Sequence, residues 1–138
     1  MSGEMLKRLV RQTAFAVAPV EGTRPILTGI NVVIENGEIS FVAIDGYRLA
    51  IRKEKLQNVE DMNFVVSAKA INEACRILND EDITKIRIGK RNISFENNGY
   101  VLISRLLEGE FVNYKKTIPT SSRQFCIVNV PTVSDVLE

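Results

Sequence analysis

Apolar side chains at Leu6, Leu9, Val10, Ala14 and Val17 recur at helical spacing, and Glu4, Lys7, Arg8 and Arg11 fill the rest of each turn. The pattern predicts an amphipathic helix over residues 4–16 with a basic outer face, capped by Ser2 and ended by Pro19 and Gly22. The period then shortens to that of a strand. Ile30, Val32 and Ile34 point one way, Asn36-Gly37 supplies a tight hairpin turn, and residues 39–44 return. Asp45-Gly46 turns the chain again into a third strand over 47–52.

A polar connector over 53–62 leads to a short strand at 64–66 and a second helix over 68–78. That helix has an apolar stripe of Ile71, Ala74, Cys75 and Leu78, with Lys69, Asn72, Glu73 and Arg76 facing away. Strands follow over 84–88, 92–96 and 100–107, the last two joined by Asn98-Gly99. The letters repeat with the pattern: Ile39-Ser40-Phe41 returns as Ile93-Ser94-Phe95, 54 residues on, and Gly46-Tyr47 as Gly99-Tyr100, 53 residues on. The expected fold is therefore α+β, a duplicated helix-plus-antiparallel-meander unit with halves near 1–60 and 61–120. The two helices pack on one face of the sheets and bring their basic faces to a common surface. Residues 121–138 repeat only an opening, a strand over 125–128 and a helix over 132–137 with Pro131 in its first turn, and are read as the start of a following domain, cut short.

Composition narrows the function. A chain of 138 residues has room for one main domain. With no histidine, it lacks the usual general base, the commonest zinc ligand and the Ser-His type of triad. No nucleophile-base pair or phosphate-cradling glycine loop takes their place, and Asp80-Glu81-Asp82 lacks the spaced ligands of a calcium loop. Neither a metal nor a cofactor is expected. Eighteen Lys and Arg against 17 Asp and Glu give a net charge of +1, which excludes a domain gripping nucleic acid by bulk charge. Two cysteines are too few for a disulfide framework, so the expected setting is reducing and cytoplasmic. The apolar run at 14–20 is too short for a signal peptide, and no stretch approaches a membrane span.

Residues 44–50, reading IDGYRLA, and 109–119, reading GEFVNYKKTIP, resemble the bacterial DNA polymerase III beta subunit, the sliding-clamp family. The opening EMLKRLVRQTAFAVA and the following RPILTGINVVIE are similar to the start of that subunit's middle domain, and the likeness extends over essentially the whole chain. It implies the DNA clamp fold, with residues 1–120 a middle domain and 121–138 the beginning of the next. It also implies a non-catalytic processivity factor: a head-to-tail homodimeric ring around duplex DNA. Partners would be the polymerase III alpha subunit, the clamp loader delta subunit and other proteins bearing a clamp-binding peptide.

Two sets of site residues follow from the resemblance. The partner-peptide groove is matched by Leu27, Ile44, Gly46, Tyr47, Arg48, Leu49, Val112, Lys116 and Thr117. Apolar walls suit hydrophobic anchors, Gly46 is expected to allow close approach, and Arg48 to add polar contacts at the rim. Ile44 stands where relatives often have Thr, Tyr47 where His is common and Val112 where Pro is common, so groove shape and peptide preference are expected to differ from theirs. The DNA-facing set is Lys7, Arg8, Arg11, Arg24, Lys69 and Arg76, making salt-sensitive phosphate contacts. Here Ala68 replaces a basic neighbour of Lys69, and Pro25 and Ile26 replace aromatic positions. The competing reading is a free-standing peptide adaptor that kept the groove without the ring.

Overall fold

The computed structural model describes residues 1–21 and 23–137. Helix α1 (Gly3–Arg11) precedes strands β1 (Gly29–Glu35), β2 (Glu38–Ile44) and β3 (Leu49–Lys55). Strand β4 (Met62–Ser67) leads directly into α2 (Ala68–Ile77), followed by β5 (Lys85–Ile88), β6 (Asn92–Asn97) and β7 (Tyr100–Leu107). A last helix, α3 (Val130–Leu137), ends the described chain. The seven strands form one antiparallel array in the order β3-β2-β1-β4-β7-β6-β5, which is the duplicated meander joined through β4.

Local chemistry sets the turns. Asn36 and Gly37 have φ of 53° and 75°, and Asn98 and Gly99 repeat this with 45° and 80°. This left-handed pair is what a two-residue hairpin demands and what Asn-Gly tolerates. Ser2 caps α1, its hydroxyl accepting from Met5 N at 3.2 Å. Gly3 lets the helix start lie on the loop after α2: a Cβ there would stand 2.1 Å from Asn79 O. Gly3 N donates to Asp82 O and Glu4 N to Asp80 O, so Asp80 and Asp82 belong to a polar helix-to-strand connection.

The core lies between the helices and the inward face of the array. Leu6, Leu9 and Val10 of α1 meet Ile71 and Ala74 of α2 with Leu78 just beyond it, over Val32, Ile34, Phe41, Val66, Ile93 and Phe95. Leu6 and Leu9 are fully buried. Each such side chain contributes about 1.5–3 kcal/mol, more than an exposed ion pair at about 0–1 kcal/mol. Apolar burial therefore positions the helices, and their outer cations are left to other uses. Cys75 packs half-buried against this core, where burial pushes its thiol up to about 11.

Four expectations need correction. The first helix stops at Arg11 instead of running to residue 16. Thr13 Oγ1 donates back to Leu9 O at 2.7 Å and the chain tightens into a 3-10 turn at Ala14–Ala16. This is the competition that a threonine hydroxyl offers a helix backbone. Gly22, expected to mark the helix end, lies outside the described residues. The third strand begins at Leu49, because Tyr47 and Arg48 belong to the turn. Residues 125–128 form no strand: no neighbouring edge pairs with them, and Phe125 and Ile127 are 88% and 93% exposed. The helix beyond begins at Val130, two residues earlier than expected, with Pro131 in its first turn.

Candidate functional site

The turn joining β2 to β3 is built around Asp45. Its Oδ1 accepts from Tyr47 N at 2.9 Å and Arg48 N at 2.8 Å, and its Oδ2 takes a two-pronged bond from Arg48 Nε and Nη2 at 2.9 and 2.7 Å. Those donors, the two backbone amides first and the guanidinium after them, hold the carboxyl down at about 2, from an ordinary 3.8. Gly46 has φ of +93°, which only glycine adopts without strain. A Cβ at Gly46 would meet nothing within 4 Å in the chain itself, so within the fold it is the backbone conformation that calls for glycine here.

Around this turn the fold gathers Leu27, Ile44, Tyr47, Arg48 and Leu49. Ile44 and Leu49 pair directly at the end of the hairpin. Leu27 sits in the 3-10 turn Pro25–Thr28 that leads into β1, and its carbonyl accepts from Ala18 N at 2.9 Å. Ile44 is buried, Leu27 and Leu49 are half-buried, and Tyr47 is 97% exposed. Phe15 joins them, 60% exposed, with Arg48 Cζ 5.9 Å from its ring centroid. Phe15 does not stand out in the sequence, because helical spacing carries a single helix through residues 4–16. An aromatic off the apolar stripe is the one signal the sequence carries.

The remaining groove candidates lie on the segment after β7. Val112 lines a wide cleft between that segment and the outward face of β1, β4 and β7. Lys116 and Thr117 make local bonds, Lys116 N to Asn113 O and Thr117 N to Tyr114 O. Lys115 beside them reaches Glu35 at 3.9 Å. Glu35 closes β1 at the end away from the Asp45 turn, a seven-residue strand and so roughly 20 Å away. The chain therefore places its groove candidates in two groups: Leu27 with residues 44–49, and Val112 with Lys116 and Thr117.

The cationic candidates share the helix layer. The helices α1 and α2 pack side by side, and together carry five Lys and Arg against two Glu, where the whole chain is nearly balanced at 18 to 17. Lys7 pairs with Asp80 at 2.6 Å, Arg76 with Glu73 at 3.3 Å, and Arg8 with Glu54 at 3.0 Å and Glu4 at 3.6 Å. Glu54 also accepts from Arg52 at 2.7 Å; that bond first, and the charge of Arg8 second among the favourable contacts, lower its pKa. Among the described residues, Arg11, Arg24 and Lys69 have no carboxylate within 4.0 Å. Arg24 stands apart from the helices, at the N-cap of the Pro25–Thr28 turn. No described helix is long and apolar enough to cross a membrane.

Comparison with known proteins agrees with this architecture. The beta sliding clamp of Bacillus subtilis (strain 168) is 40% identical over 129 residues, covering 91% of this chain and 34% of that protein. That of Halalkalibacterium halodurans is 35% identical over 140 residues, covering 98% and 37%. The chain thus spans about one third of the length of these relatives. The crystal structure of the Bacillus subtilis sliding clamp superposes with a TM-score of 0.83 at 37% identity, over 88% of this chain and 33% of that one. A Pseudomonas aeruginosa sliding clamp gives 0.83 at 27% identity, over 89% and 34%. The family described as DNA polymerase III beta subunit, central domain, matches residues 1–113. The chain belongs to the DNA polymerase III beta subunit family, and its matched region is the central domain.

Proposed function

We propose that this chain works as the central domain of a DNA sliding clamp, a non-catalytic cytoplasmic processivity factor whose full-length subunits close head to tail around duplex DNA. The observation that carries this reading is the helix pair: a surplus of three positive charges on one layer of a chain whose net charge is +1. Encirclement retains DNA without bulk attraction, so the helices need only a modest cationic lining that meets phosphates without reading sequence. Arg11 and Lys69 are available as they stand. Lys7 and Arg76 exchange an exposed carboxylate partner for phosphate, which costs little because such pairs contribute about 0–1 kcal/mol each, whereas Arg8 must leave the part-buried Glu54. Arg24 extends the lining beside the helices.

The other end of the reading is the peptide groove. Leu27, Ile44, Gly46, Tyr47, Arg48 and Leu49 form its near wall, and Val112, Lys116 and Thr117 approach it when a peptide and the following domain complete the site. It receives the clamp-binding peptides of the polymerase III alpha subunit, the clamp loader delta subunit and repair proteins. Apolar anchors pack on Leu27, Leu49 and Phe15, while Arg48, held by Asp45, presents its remaining donors at the rim.

The DNA face is tested by measuring how this chain binds a labelled duplex as salt is varied. Replacing Arg11 and Lys69 by Gln removes two phosphate contacts and lowers the slope of log affinity against log salt by about 1.8. An unchanged slope rejects the helix layer as the DNA face.

A further inference from the structure

Strand β3 carries two charges on its helix-facing side. Cross-strand partners share a face of a sheet. Arg52 is opposite Phe41 and Glu54 opposite Ile39, and both partners lie in the core beneath the helices. The internal repeat shows that the fold does not need charges there. Ile39 and Phe41 return 54 residues on as Ile93 and Phe95, and in that unit their partners on the next strand are Ser104 and Leu102. Leu102 packs against the core. The first unit therefore sets a guanidinium and a carboxylate where the second sets a leucine and a serine, and it does so within reach of the cations on α1.

The carboxylate serves two arginines at once. Glu54 Oε1 accepts from Arg52 Nη2 at 2.7 Å and from Arg8 Nη2 and Nε at 3.0 and 3.2 Å, so all three bonds fall on a single oxygen. Arg8 has one further contact, with the exposed Glu4 at 3.6 Å. The side chain of Glu54 is 18% exposed and that of Arg52 39%, which leaves the pair open to a ligand from solvent. Arg52 Nε is buried and, among the described residues, has no hydrogen-bond partner. A buried donor without an acceptor is a standing cost to the fold. A guanidinium presents its N–H groups as a planar fork that fits the oxygens of a phosphate. Arg8 and Arg11 are three residues apart on α1 and share a face, and Arg52 carries that cationic face from the helix onto the strand.

We propose that Arg52 and Arg8 form a phosphate-binding pair whose seat Glu54 occupies until duplex DNA arrives. A phosphodiester of the DNA backbone displaces the carboxylate, its two non-bridging oxygens each take one guanidinium, and Arg52 Nε gains the acceptor it lacks. Glu54 turns out to solvent. The contact positions the duplex without reading its sequence. Because the carboxylate must leave first, Arg52 engages only a duplex already seated against the layer, unlike Arg11 and Lys69, which are free from the start. The inference rests on the reading of the helix layer as the DNA face and adds to it a residue that lies off the helices.

The test follows the Arg52 Nε–H signal by NMR while a DNA duplex is added to this chain, and measures duplex affinity against salt for Arg52→Gln, Arg52→Lys and the paired Arg11→Gln and Lys69→Gln variant. The expected result is a saturable shift of the Nε–H signal. Arg52→Gln lowers the slope of log affinity against log salt by about 0.9, the loss of one phosphate contact. Arg52→Lys keeps the slope and weakens binding severalfold, since an ammonium keeps the charge but not the fork. An arginine held only as the ion-pair partner of Glu54 gives an unmoved Nε–H signal, and that result overturns the proposal. Wild-type affinity in Arg52→Lys overturns it too, and these two readouts decide the matter even where Arg52→Gln fails to fold. A slope that falls in the paired variant but not in a folded Arg52→Gln overturns the phosphate-binding pair and leaves the DNA face standing, whereas a slope that falls in neither overturns both.

Discussion

Asp45 controls the shape of the candidate groove lip more than any apolar residue in it. Its carboxylate is 9% exposed and carries both the turn backbone and the Arg48 guanidinium. A carboxyl lowered in the folded state stabilises the fold above its unfolded pKa, and that contribution disappears as pH falls from about 4 toward 2. A side-chain NMR titration of Asp45 is expected to give a midpoint near 2, with the Tyr47 and Arg48 amides shifting in step. A midpoint at the ordinary 3.8 would show that the turn is not organised around this carboxylate. The sequence displayed the DG pair but not this role, since a turn carboxylate and a groove-lip anchor look alike until Arg48 is seen folding back.

At the level of elements, the strands were legible because period-two alternation and Asn-Gly turns agree. Ile39, Phe41, Ile93 and Phe95 are all buried where their alternation puts them. The second helix was equally legible, from the stripe of Ile71, Ala74 and Leu78. The end of the first helix was not, because Ala14 and Val17 keep helical spacing while Thr13 turns its hydroxyl onto the backbone. Residues 125–128 misled for the opposite reason: β-propensity describes fitness for a sheet surface, and a strand needs an edge that sequence alone cannot supply. The groove candidates Val112, Lys116 and Thr117 were legible only through family likeness, and the fold lays the part of their segment from Val112 to Lys115 along the outer sheet face. Phe41 links the two helices to the array, so Phe41→Ala is expected to cost about 3–5 kcal/mol in denaturant unfolding. A loss under about 1 kcal/mol would mean that the core does not close around this ring.

Across the whole molecule, charge is sorted by layer. The helix pair holds a positive surplus, and the remainder of the chain balances it with acidic side chains. Glu54 sits at the border, holding Arg8 and Arg52 together from β3. If Arg8 meets phosphate, Glu54 competes for it, and Glu54→Gln is expected to tighten duplex binding at low salt and steepen the salt slope, by up to about 0.9 for one added contact. Unchanged affinity in that variant would assign Arg8 to a structural ion pair.

Whether this domain carries the near wall of a clamp groove is decided by titrating the chain with a clamp-binding peptide, containing a glutamine and hydrophobic anchors, while following backbone amides. The predicted result is weak, saturable binding, with shifts centred on Leu27, residues 44–49 and Phe15, that Leu49→Asp eliminates while the fold is retained. Equal binding by the two proteins, or shifts confined to other surfaces, would contradict it.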